Sequence, residues 1–572
     1  MNVERLLGHY REIAEAPDAI AHLRRFILDL SVRGKLVSQD ANDESASELL
    51  KRIALEKARL EKAGQARKSE VDPVIEGEVP FPLPVKWVWT RLGSIADWGA
   101  GSTPPRGNLD FYGGGVTWLK SGELNDNRTL AGSEETVTQL AIEKGSFRIN
   151  RPGDVLIAMY GATIGKVAIL AENAVTNQAV CGCTPFAGVF NEFLFLFLLS
   201  QREQFRSASE GGAQPNISKV KIVRTPFPLP PLAEQHRIVA KVDELMALCD
   251  QLEAARMARE AVRDRLAAAS FARLNAPDPD TFQADARVAL DALPALTARP
   301  DQINQLRQTI LNLAVRGKLV PQDANDQPAS ELLNNIAKEK QRLLSAGEIR
   351  RDQAIPSLSN NEEYFAIPTS WKWCRLRTLA TTLGDGLHGT PNYSADGDCF
   401  FINGNNLEDG RIAIKPNTRT VSVAEMQKHR RPLNSNSVLV SINGTLGKVA
   451  FYNGEKIILG KSACYFNLTE FTEKKFVKVV LDSPYFAEYA VRSATGTTIM
   501  NLSLRAMNEF PFPLAPLAEQ HRIVAKVDQL MTLCDRLEAS LTAADDTRGR
   551  LLEALLAEAL ATNDERELEA AE

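Results

Sequence analysis

Long apolar runs are missing from this chain of 572 residues. The longest, Phe190–Leu199, is about half of what a membrane-spanning helix needs, so no span is expected. Charges interrupt the opening residues Met1–Tyr10, and no secretory signal is read there. Cysteine is sparse, with 7 residues dispersed and only Cys181 and Cys183 forming a Cys-x-Cys. The lack of paired Cys-x-x-Cys units removes the usual basis for a zinc site. Scattered thiols of odd number are expected to stay reduced, which suits a cytoplasmic protein. Histidine is rarer still, at 6 residues. His236 and His521 each sit in a Glu-Gln-His-Arg-Ile-Val segment with no second histidine at ligand spacing, so both read as helix-surface or packing residues and no metal site is expected.

Catalytic signatures are also missing. No nucleophile elbow, paired carboxylates or glycine-rich dinucleotide fingerprint stands out. Gly161-Ala-Thr-Ile-Gly165-Lys166 approaches a phosphate loop. It has three residues between its glycines where four are needed, and Val167 follows the lysine where Ser or Thr is required. No catalytic residue and no cofactor is therefore expected on this chain.

A balance of 44% hydrophobic and 24% charged residues is that of a globular protein, and the length calls for several domains. The chain is written twice. Ile27–Leu50 returns as Ile310–Leu333, and the block from Pro231, Pro-Leu-Ala-Glu-Gln-His-Arg-Ile-Val-Ala-Lys-Val-Asp, returns from Pro516. Two blocks in the same order at nearly equal offsets mean a duplicated half. Between them the halves have diverged, with echoes at Trp87-Val-Trp89 and Trp371-Lys-Trp373, at Thr163-Ile-Gly-Lys166 and Thr445-Leu-Gly-Lys448, and at Asn216-Ile-Ser218 and Asn501-Leu-Ser503. Constant frames around divergent modules suit two readers of different targets.

The frames read as helices. Ile238, Val242, Leu245, Cys249 and Leu252 alternate steps of four and three, as do Ile523, Val527, Leu530, Cys534 and Leu537, which is the spacing of a coiled-coil seam. The first long helix is expected from about Leu232 to Leu274. Ser45 with Glu48 reads as a capping box, and Pro328 as a first-turn proline. The modules read as mixed α/β, with short β-rich runs such as Asp154–Gly161 and Ser437–Gly444 that end in turns. Net charge is −5 overall, yet residues 81–226 carry 14 Lys/Arg against 12 Asp/Glu and residues 365–511 carry 17 against 12. The positive excess lies in the modules, as a phosphate-facing surface requires.

Candidate DNA contacts follow from residue chemistry. Ser102, Thr103 and Arg106 lie on a Gly/Pro loop, echoed by His388 and Thr390; small polar residues there can approach a groove closely. Lys120 in the first module and Asn405 and Asn406 in the second hold similar places. The turns carrying Thr163 and Lys166, and Asn443, Thr445 and Lys448, can set lysines and amides against phosphate. Gln214, Asn216 and Asn501 suit adenine edges, with Lys219, Ser503 and Arg505 beside them.

The duplicated Val-Arg-Gly-Lys-Leu-Val and Pro-Leu-Ala-Glu-Gln-His blocks, the tryptophan pairs and the Gly-Lys turns together resemble the specificity subunit of type I restriction–modification systems, over essentially the whole chain. The resemblance implies an α+β protein with two mixed α/β target-recognition domains in pseudo-twofold repeat, separated by long antiparallel coiled-coil helices. It implies that each domain reads half of a bipartite site on double-stranded DNA. The implied partners are two modification subunits, which bind S-adenosylmethionine, and restriction/motor subunits, which use ATP and Mg. Ile238, Val242, Leu245 and Leu252, with Ile523, Val527, Leu530 and Leu537, are then the coiled-coil and partner-binding positions. The expected layout is a helical frame at 1–75, recognition domains at 76–230 and 356–512, a central frame at 231–355 and a terminal helix at 513–572. The stretch Met1–Asp18 has no counterpart in the repeat. The alternative is a structural adaptor that binds only protein.

Overall fold

A computed structural model describes residues 15–209, 215–351, 356, 358, 364–496 and 498–569, with side chains to residue 560. Gln214 and most of the unmatched N-terminal stretch lie outside the described residues. The chain divides into two compact units, Met1–Ala258 with Asp545–Glu572, and Arg259–Ala544. The divisions fall inside the two helices Leu232–Asn275 and Leu517–Glu569.

In the first unit, helices α1 (Ala19–Val32) and α2 (Ala46–Lys62) precede the module. Strand β1 (Val88–Arg91) opens it and pairs antiparallel with β10 (Pro226–Leu229), which closes it. Between them lies a five-stranded sheet in the order β2 (Ala96–Ala100), β9 (Val180–Pro185), β6 (Val155–Ala158), β7 (Val167–Leu170), β4 (Asn127–Leu130). A three-stranded sheet places β3 (Tyr112–Leu119) between β5 (Thr136–Val137) and β8 (Val175–Thr176). The continuous apolar run of β6 is buried throughout, as a central strand should be. The run at Phe190–Leu199 forms helix α3 (Asn191–Ser200), buried from Phe193 to Leu198. A helix apolar on all sides belongs in a core, and this one packs on α1 and on β6 and β7.

The second unit repeats the plan with α5 (Pro300–Val315) and α6 (Ala329–Ser345). Strand β11 (Lys372–Arg375) pairs with β21 (Pro511–Leu514). The main sheet runs β12 (Ala380–Asp385), β20 (Ala463–Leu468), β17 (Ser437–Ser441), β18 (Val449–Phe451). The smaller sheet places β13 (Cys399–Ile402) between β16 (Thr420–Val421) and β19 (Ile457–Leu459).

The duplicated blocks meet in space, once in each unit. Gly34 (φ 69°) and Gly317 (φ 65°) follow α1 and α5 in the left-handed conformation that glycine adopts without strain. The amides of Lys35 and Lys318 reach back to the carbonyls of Leu30 and Leu313 at 3.0 Å, closing each helix with a Schellman motif. Arg237 bridges to Asp43 at 2.6 Å, and Arg522 to Asp326 at 2.5 Å. The side chain of Gln235 accepts from the Phe190 amide, and that of Gln520 from the Glu473 amide. Two sequence blocks far apart along the chain are thus one clamp at the neck of each module.

Helix α4 (Leu232–Asn275) matches the expected span, and α9 (Leu517–Glu569) is longer still. Most of their heptad residues are covered by the module beneath them. Ile238, Val242 and Cys249, with Leu245 beside them, pack into the core of their own module. Ile523, Val527 and Cys534, with Leu530, do the same in the second unit. Leu252 and Leu537 are exposed. A globular core beneath one helix face selects the same apolar spacing as a partner helix does. Within the first unit Leu552, Leu555 and Leu556 of α9 pack on Ala19, Phe26 and Leu30. Within the second, Phe271 and Leu274 of α4 pack with Ala289 and Leu296.

Two expected caps are corrected. Ser45 is the N-cap of α2, but its hydroxyl makes no cap hydrogen bond and lies 3.0 Å from that of Ser47. Pro328 is itself the N-cap of α6 and not a first-turn residue. In both helices the amide that opens the first turn bonds instead to a module carbonyl, Ala46 to Lys86 and Ala329 to Ser370, at 2.9 Å.

Candidate nucleic-acid interface

Each module gathers its candidate residues in two places. The first is the turn between two strands of the main sheet. Glycines 161 and 165 in the first module and 444 and 447 in the second all have positive φ. The turn is tied to the segment before the last short helix. Gly161 N–H donates to the Pro215 carbonyl at 2.8 Å and Ile217 N–H to Met159 at 2.9 Å; Gly444 donates to Met500 and Leu502 to Ile442 at 2.9 and 2.8 Å. Bridges Tyr160–Asn216 and Asn443–Asn501 complete the tie. The structure therefore brings Thr163, Lys166 and Asn216 together, and likewise Asn443, Thr445, Lys448 and Asn501. Lys166 Nζ donates to Asn125 Oδ1 at 2.9 Å, while Lys448 is exposed. Thr163 donates its hydroxyl to the Tyr160 carbonyl, and the Thr445 carbonyl accepts from Ser441.

Lys219 and Ser503 stand beside these turns at the starts of short helices. Ser503 Oγ accepts from the Ala506 amide at 3.1 Å and is engaged as a cap. Arg505 pairs with Glu509 at 2.8 Å on the same helix.

The second place is the carboxyl end of the parallel strand pair in the smaller sheet, β3–β8 or β13–β19. Ser102 N–H crosses it to the Thr176 carbonyl at 2.8 Å, and Trp118 Nε1 donates to the Ser102 carbonyl at 3.1 Å. In the second module Leu387 N–H makes the equivalent bond to Leu459, at 2.7 Å. The partner of Gly101 is therefore Gly386. A Cβ on Gly101 would lie 2.1 Å from the Thr176 carbonyl oxygen, and one on Gly386 2.2 Å from that of Gly460, so both positions require glycine. His388 is exposed and pairs with Asp385; Thr103 sits on the loop beside Ser102, and Thr390 is exposed.

Short 3-10 turns follow both strands. Glu123 accepts from the Lys120 amide at 2.8 Å, as Asn406 accepts from the Asn403 amide at 3.0 Å. Both then hold the loop beyond. Glu123 takes the Ser133 hydroxyl and the Glu134 amide, whereas Asn406 donates to the Ala413 carbonyl and the Thr418 hydroxyl. Asn406 is buried and fully engaged, which removes it from the candidate contacts. Its neighbour Asn405 is exposed. A cleft of about 730 Å³ opens here in the first module, between Lys120, Asn125, Ser133 and Glu134. It links Lys120 to the Asn125 that holds Lys166.

Lys120 and Arg106 share one carboxylate that the sequence did not single out. Glu135 pairs with Lys120 Nζ at 3.0 Å and with Arg106 Nη1 at 2.8 Å. Arg106, followed by Lys120, holds its carboxyl below the usual range, and Glu135 raises the lysine in turn. The Arg106 guanidinium lies over the rings of Tyr112 and Trp118, 5.1 and 5.2 Å from their centroids. In the second module Arg419 lies over Tyr393 at 5.6 Å. Glu135, Arg419, Asn125 and Tyr393 were missed because each sits in a loop or short strand without periodicity. The register of β3 and β13 is what would have found the first two.

Among the described residues no group of three His, Cys, Asp or Glu could hold a metal ion, and no helix is long and apolar enough to cross a membrane. His236 stacks on Phe190 at 4.0 Å and His521 faces Glu473 at 3.5 Å, and both are exposed on the helix surface.

A family model described as a type I restriction modification DNA specificity domain matches residues 84–259 and again 389–544. The EcoAI type I restriction enzyme specificity subunit of Escherichia coli is 30% identical over 94% of this chain and 93% of its own. The EcoEI specificity subunit of Escherichia coli is 28% identical over 95% and 94%. Among solved structures, the HsdS subunit from Thermoanaerobacter tengcongensis aligns with a TM-score of 0.41 and 19% identity over 84% of this chain and 98% of its own.

Proposed function

Since the chain belongs to the type I restriction–modification DNA specificity family, we propose that each of its α/β domains reads one half of a bipartite site on double-stranded DNA. It is the specificity subunit and not a catalytic one. It directs adenine methylation by two modification subunits, which carry S-adenosylmethionine, and cleavage by restriction/motor subunits, which use ATP and Mg. The complex works in the cytoplasm.

One observation carries the reading. Both units share four strands of the main sheet, the three-stranded sheet, the neck clasp and the turns, yet differ in charge and side-chain chemistry at matching surface positions. Lys120 stands where the other module has Asn403, and Glu135 where it has Arg419. A constant scaffold with varied strand ends is what independent base readers require, since base edges specify while phosphate contacts position. The matched family and the relatives' names support DNA over a protein-only adaptor. Binding of the co-purified complex to duplex DNA tests it. Salt-dependent, sequence-selective binding is expected, and a complex that ignores DNA overturns the proposal.

A further inference from the structure

The two modules place a cation over the same tyrosine, but among the described residues only the first puts a carboxylate against it. Tyr112 pairs with Val137, and Tyr393 bridges to Val421, the equivalent residue. Trp118 N–H donates to the Glu135 carbonyl at 3.3 Å, and Phe401 N–H to the Arg419 carbonyl at 2.9 Å, so Glu135 and Arg419 occupy one backbone position. In the second module Arg419 itself covers the ring. In the first, Arg106 covers it from a different loop, and Glu135 bonds both Arg106 and Lys120. The Glu135 side chain is about one-third exposed (34%) and Arg106 is mostly exposed (60%), so the triad faces solvent beside the cleft.

A carboxylate on a phosphate-facing surface weakens sequence-independent attraction, because each free cation there releases a counterion. Bound to two cations, it also fixes their direction. We propose that Glu135 is a specificity-determining residue of the first module. It holds Arg106 and Lys120 back from indiscriminate phosphate binding and keeps them directed for the first half-site. This rests on the DNA-reading role of the module. The second module, with Arg419 in that place, contributes the more salt-sensitive share of binding.

The test uses the full chain with its co-purified subunits. Its probes are a random-sequence duplex and a duplex carrying the sequence methylated in cells, each titrated across salt. Glu135→Gln is expected to tighten random-duplex binding about tenfold at moderate salt and to steepen the log–log salt slope by about one to two. Target binding should gain less, so discrimination falls, with relaxation confined to the first half-site. Glu135→Asp keeps the charge and should keep the wild-type slope. Thermal melting confirms that both variants are folded. An unchanged random-duplex affinity and slope in Glu135→Gln overturns the proposal, as does a Glu135→Asp slope equal to that of Glu135→Gln. If Lys166→Ala flattens the slope while Glu135→Gln does nothing, the filter fails and the DNA-facing module stands. If neither variant alters DNA binding, the underlying reading fails as well.

Discussion

Trp371 Nε1 donates to Glu519 Oε2 at 2.9 Å, and Gln322 Nε2 donates to the other oxygen of the same carboxylate at 2.5 Å. One buried side chain therefore joins the module opening, the Val-Arg-Gly-Lys block and the first turn of α9. Burial raises the Glu519 carboxyl above its ordinary value, against the pull of Trp371 and Gln322.

A carboxyl raised by folding holds more protons in the native state between its unfolded and folded values. Its contribution is thus fully present below the unfolded value and is lost as pH rises through the folded one. Glu519→Gln should flatten that part of the pH dependence of unfolding. Glu519→Ala should lower stability by about 1–3 kcal/mol, because the buried Trp371 donor loses its acceptor and the half-buried bond from Gln322 is lost with it. Thermal unfolding across the acidic range checks both. An unchanged profile in Glu519→Gln would remove Glu519 from the account.

Neighbouring asparagines should separate folding from binding. Asn406→Ala breaks the loop's bonds to Ala413 and Thr418 and should cost about 1–3 kcal/mol in unfolding experiments. Asn405→Ala should leave stability within about 0.5 kcal/mol, since Asn405 is exposed, and should weaken binding to the second half-site. A stability loss confined to Asn405→Ala would reverse the assignment.

The turn lysines should act on affinity and not on sequence. Lys166→Ala and Lys448→Ala are each expected to reduce the salt slope by about one and to leave the preferred bases unchanged. Lys166 begins from a bond to Asn125, whereas Lys448 is exposed, so Lys448→Ala should have the larger effect. Selection from a randomised duplex library, with titration of the winners, measures both quantities. A shifted base preference at unaltered affinity would contradict a phosphate role.

The repeat made the architecture readable from the sequence. Leu232–Asn275 formed as the helix its spacing required, and the β-rich runs at Val155–Ala158 and Ser437–Ser441 became central strands. A heptad stripe reports only that one face is covered, not by what, and Ile238 and Val242 lie in the core of their own module. Gly101 is matched to Gly386 by backbone bonds across the strand ends, which local letters do not reveal. Asn406 looked like a contact because it holds a place similar to that of Lys120, yet its donor and acceptor groups are consumed in holding its own loop. Glu135 and Arg419 were invisible for a related reason. Their equivalence is set by strand register in short irregular sheets, which leaves no periodic trace in sequence.

Independent reading by the two modules is tested most directly by mapping methylated adenines in cells that carry the chain with residues 81–226 exchanged for another family member's module. The exchange should replace one half of the methylated sequence and leave the other half intact. Loss or change of both halves together, in a chain that still folds and holds its partners, would contradict it.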